Sequence, residues 1–400
     1  MISESDSYDV IIIGGAIYGS SVAWFLTQEP DFDGRILVIE KDPTYANAST
    51  SHTNSCIRQQ FSNPLNIQIS QFGAEFYTNL RQHMGDDPRV PDLRIQNFGY
   101  MYLANTESFA ETLRQNQKVQ LEHGARTELL TPSQIKERYP FYTVDDLVLG
   151  SINTHQEGYF EGSTMFDWWK KSAREHGVEY LHAEVTGLEM NAAGTRVEAV
   201  VLDSGKRIAC GTVVAATGAR AAQTAQMAGI NIPVEPRKRF TWVFTAETPL
   251  DRDLPLTIDP SGAHVRQDGK TSYLAGGHAD HDPPVDHDDF EMDNNVWLEK
   301  VWPAIAARIP QFEAIRVTSE WAGHYDFNVL DHNAIIGPHP KVSNYLFLGG
   351  FSGHGLQQSP ALGRGTAEWI THGEFRSLDL SPFKYDRIAK GTAFSEQAVI

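Results

Sequence analysis

The order of apolar and polar positions near the start of the chain predicts a strand, a helix and a second strand. Val10–Ile13 is a short apolar run typical of a buried parallel strand, and the helix is predicted to begin near Ile17. After a polar break, the apolar run "ILVI" leads into Glu40. Gly14, at the first junction, permits a tight turn. The pattern therefore predicts a strand, turn, helix and strand unit that closes on a carboxylate.

Later apolar runs predict further strands and one more helix after a glycine-rich turn. Thr212–Ala216 reads as a strand that ends in Thr217 and Gly218, and Tyr345–Leu348 reads as another. The stretches "AEVTGLEM" and "VEAVVLDSGKRI" alternate apolar and polar positions as a β-meander does. The turn "GGFSGHGLQQSP" follows Tyr345–Leu348, and a helix is predicted over Ala361–Ile370. Glycine clusters of this kind occur where the backbone bends sharply or approaches a ligand.

Composition narrows the possible partners. The 400 residues are 41% hydrophobic, which suits a large core in about two to three domains or one bilobal unit. The formal net charge of −18 repels nucleic acid and anionic membrane surfaces, so we expect no nucleic-acid partner. The apolar run Val10–Leu26 follows an acidic leader and contains three glycines. We therefore expect neither a signal peptide nor a transmembrane segment there.

Cysteine and histidine positions argue against a metal site and a disulfide framework. Cys56 and Cys210 are far apart and lack metal-ligand spacing, so a reducing cytoplasm is the expected compartment. His278, His281 and His287 fall in an acidic stretch broken by prolines, which predicts an exposed loop. No metal is expected.

The first unit predicts a dinucleotide site. The diphosphate is expected at the helix N-terminus, and Glu40 is expected to accept hydrogen bonds from the ribose hydroxyls. Ala16 occupies the middle glycine position of the G-x-G-x-x-G fingerprint, which narrows the approach to the diphosphate. This unit alone does not decide between NAD and FAD. The following segment, residues 47–62, is rich in small hydroxyl residues; it is either a solvated loop or a loop along a ribityl chain and flavin ring.

The motifs together resemble one family. "DVIIIGGAIYGSS", "SCIRQQFS", "VVAATGA", "WAGHYDFNVLDHNAIIG" and "GGFSGHGLQQSPALGR" occur in the order found in the D-amino-acid oxidase-like superfamily of FAD-dependent oxidoreductases. The likeness is closer to the glycine oxidase, sarcosine oxidase and dimethylglycine dehydrogenase branch. It implies FAD as cofactor, with the C-terminal glycine turn wrapping the pyrimidine side of the flavin. The residues expected to bind it are Gly14, Ala16, Ile17, Gly19, Glu40, Lys41, Ser49, Thr50, Ser51, Val185, Thr217, Gly218, Gly350, Ser352, Gly353, His354, Gly355, Leu356 and Gln357.

The resemblance also implies an architecture. It predicts an α/β fold in which a Rossmann-like FAD-binding domain is interleaved with an α+β substrate lobe on a mixed or antiparallel sheet. The FAD-binding domain is expected to comprise residues 1–50, 150–235 and 325–390, and the substrate domain residues 51–149 and 236–324. Residues 391–400 form a C-terminal tail.

The implied chemistry is amine oxidation. A hydride passes from the carbon beside nitrogen to the flavin, and water hydrolyses the resulting imine. The expected substrate is an N-substituted amino acid, secondary or tertiary. Arg58 matches an arginine that binds the substrate carboxylate in sarcosine oxidases, and its alternative role is a salt bridge. His52 is the candidate for tuning protonation near the ring. His354 is expected to order the flavin loop.

Departures from the sarcosine oxidase pattern alter these expectations. Gln357 lies near the position of a lysine that grips the carboxylate, which puts a plain sarcosine preference in doubt. Gly323 lies near the position of a cysteine that tethers flavin, so FAD is expected to be noncovalent. "TSYLAGGHADHD" lacks a lysine that assists oxygen use, so the acceptor is either oxygen or an electron-transfer partner.

Four aromatic residues are candidates for the walls of the substrate pocket, and a place in the hydrophobic core is an equally good interpretation of each. They are Tyr159, Trp242, Tyr273 and Tyr325, of which Tyr325 is also a candidate catalytic residue. Three other functions remain open. An NAD-dependent dehydrogenase leaves the C-terminal glycine turn unexplained, and a 2-hydroxy-acid oxidoreductase could use the same scaffold. A noncatalytic FAD-binding assembly factor is the third, because the C-terminal stretch is similar to a mitochondrial branch of the family that assists assembly of respiratory complex I. The oligomeric state is open.

Overall fold

The computed structural model describes residues 7–397. The strands are β1 (Ser7–Ile13), β2 (Ile36–Glu40), β3 (Cys56–Ile57), β4 (Tyr100–Ala104), β5 (Glu128–Leu130), β6 (Leu149–Asn153), β7 (Gly158–Tyr159), β8 (Glu179–His182), β9 (Val185–Met190), β10 (Val197–Leu202), β11 (Arg207–Ala215), β12 (Val234–Ala246), β13 (Leu256–Ile258), β14 (His264–Gln267), β15 (Ser272–Gly277), β16 (Ile315–Asn328), β17 (Ile335–Pro338) and β18 (Tyr345–Gly349). The α-helices are α1 (Ile17–Gln28), α2 (Pro64–Thr78), α3 (Leu80–His83), α4 (Glu107–Glu122), α5 (Pro132–Arg138), α6 (Gly162–Glu175), α7 (Ala221–Met227), α8 (Asn294–Val296), α9 (Trp302–Arg308), α10 (Gly355–His372) and α11 (Asp386–Lys390).

The first sheet has eight strands and a parallel centre. Its main order is β17-β18-β11-β1-β2-β8, in which neighbours from β18 to β8 run parallel and β17 is antiparallel to β18. The predicted meander is present, since β9, β10 and β11 pair antiparallel in sequence order. Helix α1 contacts α6 and α10, and α10 contacts α2, on one face of this sheet. The other face packs against β9, β10 and α7, so both faces of the parallel strands are buried, which explains their continuous apolar runs.

The second sheet also has eight strands, in the order β16-β12-β15-β14-β13-β4-β6-β5. Strands β4 and β13 pair parallel, and every other neighbouring pair of the order given is antiparallel. The longest pairing joins β12 to β16 from Val234 opposite Asn328 to Ala246 opposite Ile315. The mixed α/β fold predicted from the sequence is confirmed.

Each sheet has its own aromatic core. Trp24, Phe76 and Trp169 lie together in the core beside the first sheet. Trp242 and Tyr273 belong to the core of the second sheet, where Trp242 packs against Trp297 at a ring separation of 5.1 Å. Among the proposed pocket aromatics, these two therefore take the alternative role in the core.

The two sheets are interleaved along the chain. Strands of the first come from residues 7–40, 179–215 and 335–349, and those of the second from residues 100–153 and 234–328. Strand β6 crosses the proposed boundary at residue 150 and pairs within the second sheet, and β16 likewise runs past residue 325. The domain limits stay a prediction. Of the tail, residues 391–397 are described, whereas 398–400 and the leader residues 1–6 lie outside the described residues.

None of the helices within residues 7–397 combines the length and apolar character needed to cross a bilayer. The side chains of Cys56 and Cys210 are free thiols.

Candidate functional site

A cavity of about 480 Å³ is lined by residues from both sheets. The first sheet contributes the carboxyl ends of β1, β2 and β11, and the second contributes β12, β14 and β16. The carboxyl end of a parallel sheet is where ligands bind in open α/β folds. The N-terminal turn of α10 completes the wall.

The turn between β1 and α1 is shaped by close backbone packing. Gly14 has φ +92°, and a Cβ there would lie 2.4 Å from the carbonyl oxygen of Ala216. Ala16 and Ile17 follow it on the cavity wall, at the N-terminus of α1. Gly19 lies outside the wall because it packs against the turn, where a Cβ would lie 1.9 Å from the carbonyl oxygen of Gly14. Its role is to let the helix approach the strand.

Glu40 is fixed at the cavity edge by two backbone donors. Its Oε2 accepts from the N–H of Gly15 at 2.8 Å, and its Oε1 accepts from the N–H of Asp42 at 2.8 Å. Glu40 ends β2, beside the N-terminus of α1, where the ribose-binding carboxylate was predicted. The other predicted residues on this part of the wall are Lys41, Val185, Thr217 and Gly218.

The hydroxyl-rich loop forms a 3-10 turn over Ser49–His52. Ser49 donates to the carbonyl oxygen of His324 at 2.7 Å, and Thr50 Oγ1 accepts from the N–H of Ile17 at 3.3 Å. Both residues line the cavity, as does His52. Ser51 lies outside the wall and donates to the carbonyl oxygen of Tyr45 at 2.7 Å. The loop therefore joins the N-terminus of α1 to strand β16.

The C-terminal glycine turn leads directly into α10. Gly353 has φ +92° and its Cβ would lie 2.4 Å from the ring of Tyr325, while a Cβ at Gly355 would lie 2.0 Å from Tyr18 Oη. The six consecutive residues from Ser352 to Gln357 line the cavity. Gly350 lies outside the wall, against Val234, and its N–H donates to Asp326 Oδ2 at 2.8 Å. The rings of Tyr325 and Tyr18 thus leave room only for glycine at positions 353 and 355.

Arg58, His354 and Gln357 lie together at the N-terminus of α10. Arg58 is 1% exposed, and its Nη2 lies 2.8 Å from His354 Nε2. Its guanidinium lies over the Phe61 ring at 4.0 Å, and its N–H donates to Gln357 Oε1 at 2.9 Å. Burial, followed by the charge of Arg58, holds the pKa of His354 well below its usual value. His354 is therefore neutral and accepts from the guanidinium.

Asp326 and Tyr18 form a buried pair on the wall that the sequence reasoning missed. Tyr18 Oη donates to Asp326 Oδ1 at 3.4 Å. Burial raises the pKa of Asp326 to about 6, and burial together with Asp326 raises the pKa of Tyr18. Tyr18 lies within the first glycine motif, which was the available signal. Asp326 had a signal only through its place in the family motif.

Arg239 and His264 are two further wall residues that were not predicted. Arg239 lies 4.8 Å from the Tyr325 ring centre and pairs with both carboxylate oxygens of Asp282, at 2.9 and 3.0 Å. His264 Nε2 lies 2.8 Å from Asn54 Nδ2 and accepts from it, because an amide nitrogen can only donate. Burial lowers the pKa of His264 to about 4, so the ring is neutral. The run "PRKR" in an acidic chain was a usable signal for Arg239, whereas His264 had none.

Residues 278–293, here named the acidic strap, join β15 to α8 and cover one side of the cavity. Its aspartates form ion pairs with basic residues on or next to strands of both sheets. Arg239 pairs with Asp282, Arg220 with Asp288, and Lys238 with Asp289. His281 is exposed, as predicted, while His278 and His287 are half-buried. The side-chain atoms of Asp286, His287 and Asp288 that could coordinate a metal ion lie within 4.8 Å of one another at the surface. Because Arg220 engages Asp288, this cluster is an ion-pair network.

The wall suits a flavin dinucleotide. The N-termini of α1 and α10 face the same cavity, and each presents backbone N–H groups with the positive end of a helix dipole. One of them fits a diphosphate, and the other fits a ring carbonyl oxygen. Glu40 is in place for a ribose, and the cavity continues from there to Tyr325.

Comparison with known proteins agrees with this geometry. Residues 9–369 match the DAO family, described as FAD dependent oxidoreductase. The chain is 37% identical to FAD-dependent oxidoreductase domain-containing protein 1 of Xenopus laevis, over 98% of this chain and 85% of that protein. It is 25% identical to sarcosine oxidase subunit beta of Rhizobium meliloti (strain 1021), over 98% and 90%. The crystal structure of L-proline dehydrogenase from P. horikoshii superposes with a TM-score of 0.84 at 25% identity, covering 97% of this chain and 100% of that one. The chain is therefore an FAD-dependent oxidoreductase of the DAO family.

Proposed function

We propose that the protein oxidises the C–N bond of an N-substituted amino acid by hydride removal, to an imine from a secondary amine or an iminium ion from a tertiary one, which water then hydrolyses. The observation that carries the proposal is the buried guanidinium of Arg58 on the cavity wall, held against a neutral His354 at the N-terminus of α10. Two relatives support the substrate class, because sarcosine and proline, which their names specify, are both secondary amines with a carboxylate.

Arg58 is proposed to bind the substrate carboxylate. A guanidinium can donate two parallel hydrogen bonds to a carboxylate and keeps its charge when buried. Burial by itself would lower the pKa of Arg58, but neighbouring tyrosines and carboxylates raise it overall. Gln357 contributes by fixing the backbone of Arg58 through its Oε1. Its neutral amide replaces the second cation expected in sarcosine oxidases.

FAD, when bound, supplies the hydride acceptor. The protein's own residues position the cofactor and the substrate relative to each other. The N–H groups of Gly353 and Gly355 are proposed to face the ring carbonyl oxygen, and that of Ala16 the diphosphate. Because Gly323 offers no nucleophile, FAD is proposed to be noncovalent.

The substrate amine must be unprotonated before hydride can leave the adjacent carbon. The neutral rings of His264 and His354 add no positive charge near it. His52 is proposed to tune protonation at the ring; its Nδ1 lies 3.1 Å from the carbonyl oxygen of Ala48. Tyr325, stacked beneath Arg239, is proposed as the aromatic wall of the substrate site.

The test is reduction of the bound flavin without oxygen. Purified protein is mixed anaerobically with sarcosine, dimethylglycine, glycine, proline, D-amino acids or 2-hydroxyglutarate, and the flavin absorbance is followed. Bleaching by an N-substituted amino acid is expected, and readmitted air then tells an oxidase from a dehydrogenase. Bleaching by 2-hydroxyglutarate alone would support the hydroxy-acid alternative. A flavin that nothing on the panel bleaches would contradict the proposal and favour a noncatalytic role.

Arg58→Lys tests the carboxylate site directly. Lysine keeps the charge but loses the planar pair of donors, so KM for the bleaching substrate is expected to rise about tenfold or more with FAD content unchanged. The matched control is Arg364→Lys, because Arg364 also lies over a phenylalanine, at 3.7 Å from Phe72, yet lies outside the cavity wall. Equal KM values for the two variants would remove Arg58 from the substrate site.

A further inference from the structure

The C-terminal tail inserts a buried carboxylate beside α2. Glu396 is 1% exposed. Its Oε1 accepts from the N–H of Ser62 at 2.8 Å and from Ser62 Oγ at 2.6 Å, and its Oε2 accepts from Asn66 Nδ2 at 3.0 Å. A buried carboxylate with several donors is a fixed structural element, because an unmatched one would be costly.

The backbone of the tail is anchored on either side of Glu396. The N–H of Phe394 donates to Asp331 Oδ2 at 3.0 Å, and the N–H of Glu396 donates to the carbonyl oxygen of Asp331 at 3.0 Å. Asp331 is itself held in a buried ion pair with Arg387 at 2.6 Å. Gln397 follows, with its N–H donating to Ser62 Oγ at 3.0 Å. The tail therefore has one defined path across the molecule.

Residues 58–62, here named the Arg58 segment, are held at both ends by buried carboxylates. Glu157 accepts from the N–H of Gln59 at 2.7 Å and from the side chain of Gln60 at 2.9 Å. Glu396 holds the other end, at Ser62. Between them the Phe61 ring supports the guanidinium of Arg58.

A second path runs from Glu396 to the first turn of α10. Asn66, which donates to Glu396, accepts from Gln358 Nε2 at 3.0 Å. Gln358 adjoins Gln357, the residue that accepts from the N–H of Arg58. Phe61 also packs edge-on against His354, with ring centres 5.1 Å apart. Arg58 and His354 both pack against Phe61, which adjoins Ser62, a residue that Glu396 holds in place.

We propose that Glu396 is a positioning residue for the substrate carboxylate site, so that the C-terminal tail is part of the active centre. This rests on the proposed role of Arg58. Glu396 acts through the Arg58 segment and through Asn66 and Gln358, and it also adds a buried negative charge near the guanidinium. The charge of Glu396 raises the pKa of Arg58 against the effect of burial, and Glu157 adds to this once its carboxyl is ionised.

The experiment measures carboxylate binding in the FAD-loaded full-length protein. Benzoate is the probe, and its dissociation constant is read from the perturbation of flavin absorbance. In Glu396→Gln, the amide keeps one acceptor oxygen while its N–H₂ faces a donor at either Ser62 or Asn66, so one of the two paths loses its anchor. Benzoate binding is expected to weaken about tenfold or more, and KM for the bleaching substrate to rise in the same proportion. FAD content and kcat are expected to change less than twofold.

Two controls separate positioning from general stability. Glu374→Gln changes an exposed carboxylate whose partner is Arg376, also at the surface, and is expected to leave benzoate binding unchanged. A chain ending at Gln397 retains Glu396 and is expected to bind as the parent does, whereas a chain ending at Gly391 is expected to bind as weakly as Glu396→Gln. Should Glu396→Gln fail to fold, Ser62→Ala removes the hydroxyl that donates to Glu396 and accepts from the N–H of Gln397, and it makes the same comparison.

The outcomes are distinct. If a folded, FAD-loaded Glu396→Gln or Ser62→Ala variant binds benzoate within twofold of the parent, the inference is wrong while the proposed function stands. If the parent itself binds FAD but no carboxylate, the role of Arg58 and this inference fall together. A variant with weakened benzoate binding and parental FAD content supports the inference.

Discussion

Glu157 is a buried carboxyl that contacts Gln59, the residue after Arg58. Its protonation state therefore bears indirectly on the proposed substrate site. It is fully buried and accepts from the N–H of Gln59 and the side chains of Gln60 and Asn153. Burial raises its pKa to about 7, although these hydrogen bonds oppose the shift. At the residue scale, then, desolvation outweighs hydrogen bonding here.

Glu157→Gln tests this balance through stability. Glu157 holds a proton up to about pH 7 in the folded chain, against a usual value of 4.5. A raised carboxyl pKa favours folding at low pH, and this contribution is lost as the pH rises through 7. The parent's advantage in free energy of unfolding over the variant should therefore shrink by up to about 3 kcal/mol between pH 4.5 and 8. Urea unfolding at both pH values measures it.

Asp326, whose pKa is also raised, is present in both the parent and Glu157→Gln. Its contribution to the free energy of unfolding therefore cancels when the two are compared. The same gap at both pH values would contradict the raised pKa of Glu157.

Helix α10 illustrates, at the scale of one element, how a glycine's surroundings decide its role. Its N-terminal glycine, Gly355, is closed in by Tyr18, whereas Gly373 at its C-cap has φ +76° and open space where a Cβ would lie. Both are glycines of the same helix. The first faces the cavity, and the second only ends the helix.

Gly355→Ala is expected to displace Tyr18 or the first turn of α10, because the added Cβ would lie 2.0 Å from Tyr18 Oη. FAD affinity should fall at least about tenfold, since the N–H donors of that turn move with it. Gly373→Ala is the matched control. It should cost about 1 kcal/mol of stability through its left-handed φ and leave FAD affinity unchanged. Titration of apoprotein with FAD measures both, and equal affinities would contradict the role of the turn.

The sequence was informative where chemistry is carried by contiguous residues. Gly14, Glu40, Arg58 and His354 could be singled out because each lies in a short, recognisable motif at an element junction, although the contact between Arg58 and His354 spans 296 positions of the chain. The places of Arg239 and His264 on the cavity wall could not be predicted, although "PRKR" marked Arg239 as a candidate, since both residues meet the cavity only after β12, β14 and β16 are paired. Register in such a sheet depends on long-range packing that local pattern does not encode.

At the scale of the whole molecule, the cavity joins two separately packed cores. Trp24 lies in the core beside the first sheet and Trp242 in that of the second, while the cavity takes wall residues from both sheets. A ligand that fills it contacts both halves at once. The wall carries both signs of charge, with Lys41, Arg58, Arg220 and Arg239 on it together with Glu40, Asp42, Glu184, Asp288 and Asp326.

Removal of FAD is therefore expected to lower Tm and to separate the unfolding of the two halves. Binding to the folded state alone adds about 2.7 kcal/mol when free FAD is about a hundred times its Kd. Calorimetry should show one transition with FAD and a lower, broader one without it, and FAD added back should restore the first. An unchanged Tm in the apoprotein would show that the cavity does not hold the cofactor.

The contact between Gly323 and His52 constrains how this protein can change over evolutionary time. A Cβ at position 323 would lie 2.8 Å from His52 Cβ, so any larger residue there forces the neighbouring loop to move. A cysteine placed at position 323, where sarcosine oxidases attach flavin, would therefore displace His52 or its loop.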